Sequence, residues 1–311
     1  MQRQTKLLLR VALFAIPIFA IPSHMGCGGS SAERPAAAHA PSGDEAASTH
    51  TPARAAAPGG DHAPTLAAAL DVALAGGHRS EANRARDRYR HPKETLTFFG
   101  LGSDMKVLEM SPGAGWYTEL LAPVLRDHGQ LAAAVPSPTG RSARYAKRFS
   151  DLVAKHPDVY DKVDKVLFEY PDHPSLGPAN SLDMVLTFRS THGWINSGKV
   201  QDVYRAMYEA LKPGGVLGVV QHRAPPGAAA EQSAKRGYVP EAFVVSLCER
   251  IGFKLEARSE LNANPKDTTD HPKGVWTLPP SLALGEQDRD KYLAIGESDR
   301  MTIKFRKPAE H

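Results

Sequence analysis

A chain of 311 residues with 41% apolar and 23% charged side chains can build a core of ordinary size, so wholesale disorder is excluded. A formal charge of +4, with no long Lys/Arg run, leaves no electrostatic footprint for nucleic acid. The two cysteines, Cys27 and Cys248, lie in segments of different character and exclude a disulfide framework.

Residues 1–27 read as a targeting segment: Arg3, Lys6 and Arg10 precede an apolar stretch, residues 11–21, too short to span a bilayer comfortably. Ser23-His24-Met25-Gly26-Cys27 follows, a small residue before a lone cysteine. This resembles a bacterial lipoprotein signal, in which the cysteine is acylated and becomes the new N-terminus. His24 stands where an aliphatic residue is usual. Lipidation at Cys27 is expected, with ordinary signal cleavage and an uncleaved anchor as the alternatives. Residues 28–64, rich in Ala, Pro, Gly, Ser and His and without an aromatic residue, read as a disordered tether. His39, His50 and His62 match no compact ligand spacing, so no metal is expected there. The expected organisation is thus one domain, residues 65–311, held at the periplasmic face of the cell envelope through its N-terminal lipid anchor.

Within that domain two basic clusters come first to notice: Arg84, Arg86, Arg88 and Arg90, then Arg141, Arg144, Lys147 and Arg148. Both read as solvated helix faces. Short apolar runs predict strands over 106–110, 130–135, 165–168, 182–188 and 216–221. Helical spacing covers 116–126, 139–154, 198–211 and 239–251, the third ending at Lys212-Pro213-Gly214-Gly215 and the last enclosing Cys248 as a core residue. Residues 300–306 alternate polar and apolar and predict an edge strand with one wet face. Strands alternating with helices predict an α/β fold with a doubly wound, mostly parallel, Rossmann-like sheet.

The informative turn is Glu109-Met110-Ser111-Pro112-Gly113-Ala114-Gly115-Trp116-Tyr117. Glycines after a first strand let a ligand approach the backbone at the positive end of the next helix. A dinucleotide fingerprint needs a third glycine three residues on, and Thr118 holds that place. Glu109, Ser111, Gly113 and Gly115 instead occupy the alternating positions of the class I S-adenosylmethionine (SAM) dependent methyltransferase turn, which this segment resembles. A plain β-to-α turn is the alternative. Leu211-Lys212-Pro213-Gly214-Gly215 resembles the turn before the fifth strand of that superfamily, with Ser181-Leu182-Asp183-Met184-Val185 as the fourth strand between the two signals.

More narrowly, 89–95, 113–118, 262–268 and 296–301 resemble a bacterial group of predicted, often exported methyltransferases of unassigned substrate. The resemblance implies a seven-stranded sheet, SAM as cofactor, and contact with it through Glu109, Ser111, Gly113, Gly115, Trp116 and Tyr117. Glu109 would orient nearby backbone amides. The superfamily usually has a carboxylate at the end of the second strand for the ribose hydroxyls. Residues 131–137 read Leu-Ala-Ala-Ala-Val-Pro-Ser, leaving only Ser137. Glu169 and Asp172 either reach the adenine amino group or are exposed loop carboxylates.

Ligands of open α/β sheets bind beyond the carboxyl ends of the strands, where strand order reverses. The loop after the fourth strand carries Arg189, His192 and Trp194, a guanidinium, a candidate general base and an aromatic wall. A histidine that only bonds a loop carbonyl is the alternative for His192. His222, at the end of the fifth strand, either orients the substrate or replaces His192 as base. Residues 264–272, including Asn264 and Asp267, are expected to fold over the pocket as a lid. Arg90 and His91 either close its other side or cap a helix. Two functions follow: a SAM-dependent methyltransferase of a small molecule, or an exported lipoprotein whose methyltransferase-like domain binds a ligand or partner without catalysis.

Overall fold

The computed structural model describes residues 65–139 and 142–309. The targeting segment, Cys27, the tether and Arg141 lie outside the described residues.

Four short helices come first: α1 Leu66–Ala75, α2 Glu81–Arg84, α3 Asp87–Arg90 and α4 Pro92–Phe99. Thr65 caps α1 through its hydroxyl, which accepts from the Ala68 amide. α4 starts on Pro92 and stops at Gly100, whose φ of +80° ends the helix. Strands and helices then alternate: β1 Lys106–Met110, α5 Thr118–Leu125, β2 Gln130–Val135, α6 Ala143–Lys155, α7 Pro157–Tyr160, β3 Asp164–Leu167 and β4 Leu182–Phe188. The remainder is α8 Thr191–Asn196, α9 Val200–Ala210, β5 Leu211–His222, α10 Ala230–Ala234, α11 Glu241–Ile251, β6 Lys254–Ser259, α12 Arg289–Ile295 and β7 Arg300–Arg306.

The seven strands order as β3-β2-β1-β4-β5-β7-β6. β3, β2, β1, β4 and β5 pair in parallel, while β7 is antiparallel to both β5 and β6, so the sheet is mixed. Period-two alternation gives the central strands two buried faces. Leu108, Val185, Leu217, Val219 and Ile303 meet α9 and α11 on one side, Cys248 among them. Val107, Met184, Leu186 and Val220 meet α1, α4 and α5 on the other.

Two expectations are corrected here. Residues 300–306 form no edge strand: β7 sits between β5 and β6, and β3 and β6 are the edges. Its polar side is occupied, not wet. Arg300 donates to Glu297, Thr302 accepts from Asn262, and Lys304 pairs with Glu256. The arginines of 84–90 are no simple solvated face either. Arg86 and Arg90 turn inward to Glu297, and Arg90 is only 2% exposed.

Candidate active site

Between β1 and β4 the chain reverses its direction of travel across the sheet, and a cleft of about 630 Å³ opens beyond the carboxyl ends of these strands. The Ser111–Tyr117 turn, the end of β2, α6, the end of β3, the Phe188–Trp194 segment, His222 and Trp276 line it. Asn83, Arg86 and Arg90, from the N-terminal helices, complete the wall.

The glycine turn is built on positive φ values at Ser111, Gly113 and Gly115. Gly113 faces empty space: a Cβ there would meet no atom within 4 Å. Gly115 does not line the cleft, contrary to expectation. Its missing Cβ would come within 2.0 Å of Leu152 Cδ2 on α6, so this glycine serves helix packing. Glu109 lies 2% exposed below the turn and accepts from the Thr118 hydroxyl at 2.6 Å. It binds that hydroxyl in place of the expected backbone amides. Burial pushes its carboxyl up to about 7, against the pull of Thr118 and Arg189. Tyr117 stacks flat on Phe188 with ring centroids 3.4 Å apart, and burial pushes its phenol up to about 12. Trp116 donates its indole N–H to the Asn83 carbonyl and carries the Arg90 guanidinium 4.6 Å from its ring centre.

His192 is held by Gln221. The Gln221 Oε1 accepts from the Thr191 amide at 3.1 Å and its Nε2 donates to the Gly237 carbonyl at 3.0 Å, which fixes the amide orientation. The same Nε2 therefore donates to His192 Nδ1, at 3.3 Å. The neutral imidazole then carries its proton on Nε2. Burial pulls His192 down to about 4, and Arg189 adds to the effect. A ring protonated at its outer nitrogen, and that hard to charge, presents a hydrogen-bond donor to the cleft. His222 stands 6.0 Å from His192, centroid to centroid, and pairs through Nδ1 with Ser298 Oγ at 2.5 Å. Burial and then His192 hold it well below the usual histidine value. Trp194 lines the cleft as an aromatic wall, packed edge-on against Tyr204.

The expected lid is a fixed strut. Asp267 is buried and accepts from Tyr238, the Thr269 and Asp299 amides and His271. Asn264 donates to the Ile295 and Glu297 carbonyls. Neither lines the cleft: their polar atoms serve Tyr238, their own loop and the segment before β7. Trp276, just past this stretch, does reach the cleft, edge-on to His192 with centroids 5.9 Å apart. Arg90 does close the far wall, but His91 joins α3 to α4 in a left-handed conformation outside the cleft. Glu169 lines the cleft and Asp172 does not. Val135 and Pro136 face it where the second strand ends, with no carboxylate, while Ser137 bonds Thr139 and stays outside.

No protein-family model matches the sequence, and no characterised protein matches it by sequence. Solved structures do match. The [4+2]-cyclase SpnF aligns at 17% identity and a TM-score of 0.51, over 79% of this chain and 93% of that one. A protein from Galdieria sulphuraria described as a sarcosine dimethylglycine methyltransferase aligns at 14% identity and a TM-score of 0.50, over 72% of this chain and 86% of that one. The fold is that of the class I SAM-dependent methyltransferases.

Proposed function

We propose that the chain is a SAM-dependent methyltransferase acting on a small molecule. The observation that carries this reading is Gly113: a left-handed residue with open space where its side chain would be, on the floor of a cleft at the strand-order reversal of a methyltransferase-like sheet. The surrounding residues fit the cofactor. The turn at Ser111–Gly113 would carry its amino-acid portion, and Phe149 and Phe168 would flank its base, with Glu169 at the rim. The hydroxyls of Ser142 and Tyr145, which line the same cleft, stand in for the missing ribose carboxylate. When bound, SAM supplies a methyl group activated by its sulfonium sulfur.

The protein's own contribution is then orientation and exclusion of water. Trp194, Trp276 and Phe188 wall the cleft, while His192 offers a donor from Nε2. Neither histidine has a proton affinity suited to removing a proton near neutrality. Catalysis would rest mainly on placing the acceptor in line with the methyl group. Titration calorimetry of the full chain with SAM and S-adenosylhomocysteine tests the reading: saturable heat with both supports it, and no heat with either rejects it.

The sequence further supports export and acylation at Cys27, which would hold the domain at the periplasmic face of the envelope. A Cys27→Ser form should lose acyl labelling and leave the membrane fraction; unchanged labelling overturns this.

A further inference from the structure

Four guanidinium groups gather around Glu297, three of them, Arg86, Arg90 and Arg189, in the wall of the cleft, and Glu297 hydrogen-bonds all but Arg189. Glu297 accepts from Arg86 Nε at 2.7 Å, Arg90 Nε at 2.8 Å and Arg300 Nη1 at 3.0 Å. The fourth, Arg189, makes no side-chain hydrogen bond or ion pair among the described residues, and its Nη1 is shielded from solvent. Arg90 Nη1 is equally shielded and unpartnered. The other nearby acid is the buried Glu109, so four cations meet at most two carboxylates. Positive charge is therefore in clear excess around these groups.

A guanidinium nitrogen shielded from water and left without a hydrogen-bond partner destabilises a fold, because nothing replaces its lost hydration. Buried donors without partners are rare in native proteins, and two guanidinium nitrogens in the wall of one cleft call for an external acceptor. The Arg90 guanidinium is also held in place. Arg90 is gripped by Glu297 on one edge and Trp116 on one face. Arg189 sits at a φ of +60°, its amide donating to the Val220 carbonyl at 2.7 Å. Guanidinium donors with a shielded, unpartnered nitrogen are what planar oxyanions bind well.

We propose that Arg90 and Arg189 form a carboxylate-binding subsite of the cleft, each offering its free Nη1 to a small-molecule ligand. The carboxylate belongs either to the methionine portion of the cofactor or to the methyl acceptor. This rests on the cleft being the ligand site proposed above.

The experiment compares the full chain with Arg189→Met and Arg189→Lys by calorimetry. The ligands are S-adenosylhomocysteine, 5′-methylthioadenosine, which lacks the carboxylate, and benzoate against benzamide. A wild-type preference for S-adenosylhomocysteine over 5′-methylthioadenosine that falls tenfold or more in Arg189→Met assigns the subsite to the cofactor. A preference for benzoate that is lost in Arg189→Met, with S-adenosylhomocysteine binding unchanged, assigns it to the acceptor. Arginine-dependent benzoate binding without binding of either adenosyl ligand keeps the subsite and removes the methyltransferase reading. Arg189→Lys should keep only part of the preference, because an ammonium lacks the planar fork. Arg189→Met should also raise the Tm of the ligand-free chain. Unchanged selectivity across all ligands, or a Tm lowered by Arg189→Met, overturns the proposal, since the guanidinium would then answer to the fold alone.

Discussion

Replacing Glu109 with Gln removes a carboxyl that the fold buries without an ionic partner at hydrogen-bond distance. Its pKa of about 7, raised from 4.5, makes the folded state hold a proton that the unfolded chain gives up. The favourable contribution is therefore fully present below pH 4.5 and lost as the pH rises from there through 7. At roughly 1.4 kcal/mol per pKa unit, the full swing is about 3 kcal/mol. Between pH 5 and 8 the wild type should lose roughly 2–3 kcal/mol relative to Glu109→Gln. His192 works in the opposite direction: depressed to about 4 from 6.5, it contributes above 6.5 and loses this as the pH falls through 4. That contribution is common to both proteins and cancels in their difference. Urea denaturation of the pair at several pH values, followed by circular dichroism, measures it. Parallel stability profiles would refute the argument and mean that Glu109 is ionised in the folded protein throughout.

Gly113→Val should weaken SAM binding more than it weakens the fold, since its side chain would point into open cleft. Gly115→Val should chiefly destabilise, because Leu152 must move aside; both pay for a left-handed backbone, about 1–2 kcal/mol. Thermal melts beside binding isotherms separate the two, and a reversed order of effects refutes the assignment. Nitrogen-15 NMR titration should find His192 neutral with its proton on Nε2 down to pH 5; a midpoint near 6.5 would sink that reading. Once an acceptor is found, His192→Asn should cost less than the roughly 10²–10⁴-fold typical of a lost general base.

Much of the parallel half of the sheet is legible in the sequence. β1, β2 and β4 fall on the apolar runs that predict them, because buried strands are continuous apolar segments. β5 is longer than expected: pairing of Leu211 with Leu182 brings the Lys-Pro-Gly-Gly excursion inside it. β7 misleads because period-two alternation shows which residues are polar, not whether water or a buried partner meets them. β6 is hidden by Lys254, Glu256 and Arg258 alternating with half-buried Leu255, Ala257 and Ser259. At the site, Glu109, Gly113, Arg189, His192 and His222 converge on the cleft as read. The strut of 264–272 was opaque because a polar loop looks the same whether it bonds the solvent or a neighbouring strand. Glu297 stands in the sequence as one residue of the 296–301 stretch, and its role rests on contacts spanning some two hundred residues.

The insertion of β7 between β5 and β6 ties the shape of the cleft to the far end of the sequence. Val216 finds Arg306, ninety residues later, so β5 presents a bare edge until β7 has been made and seated. Glu297, Ser298 and Arg300 travel on that same segment. A nascent chain still lacking it would hold Arg86 and Arg90 without their counter-ion and His222 without its hydroxyl partner. Such a chain can neither finish its sheet nor shape its cleft, so the cleft takes its form together with protection from edge-to-edge aggregation.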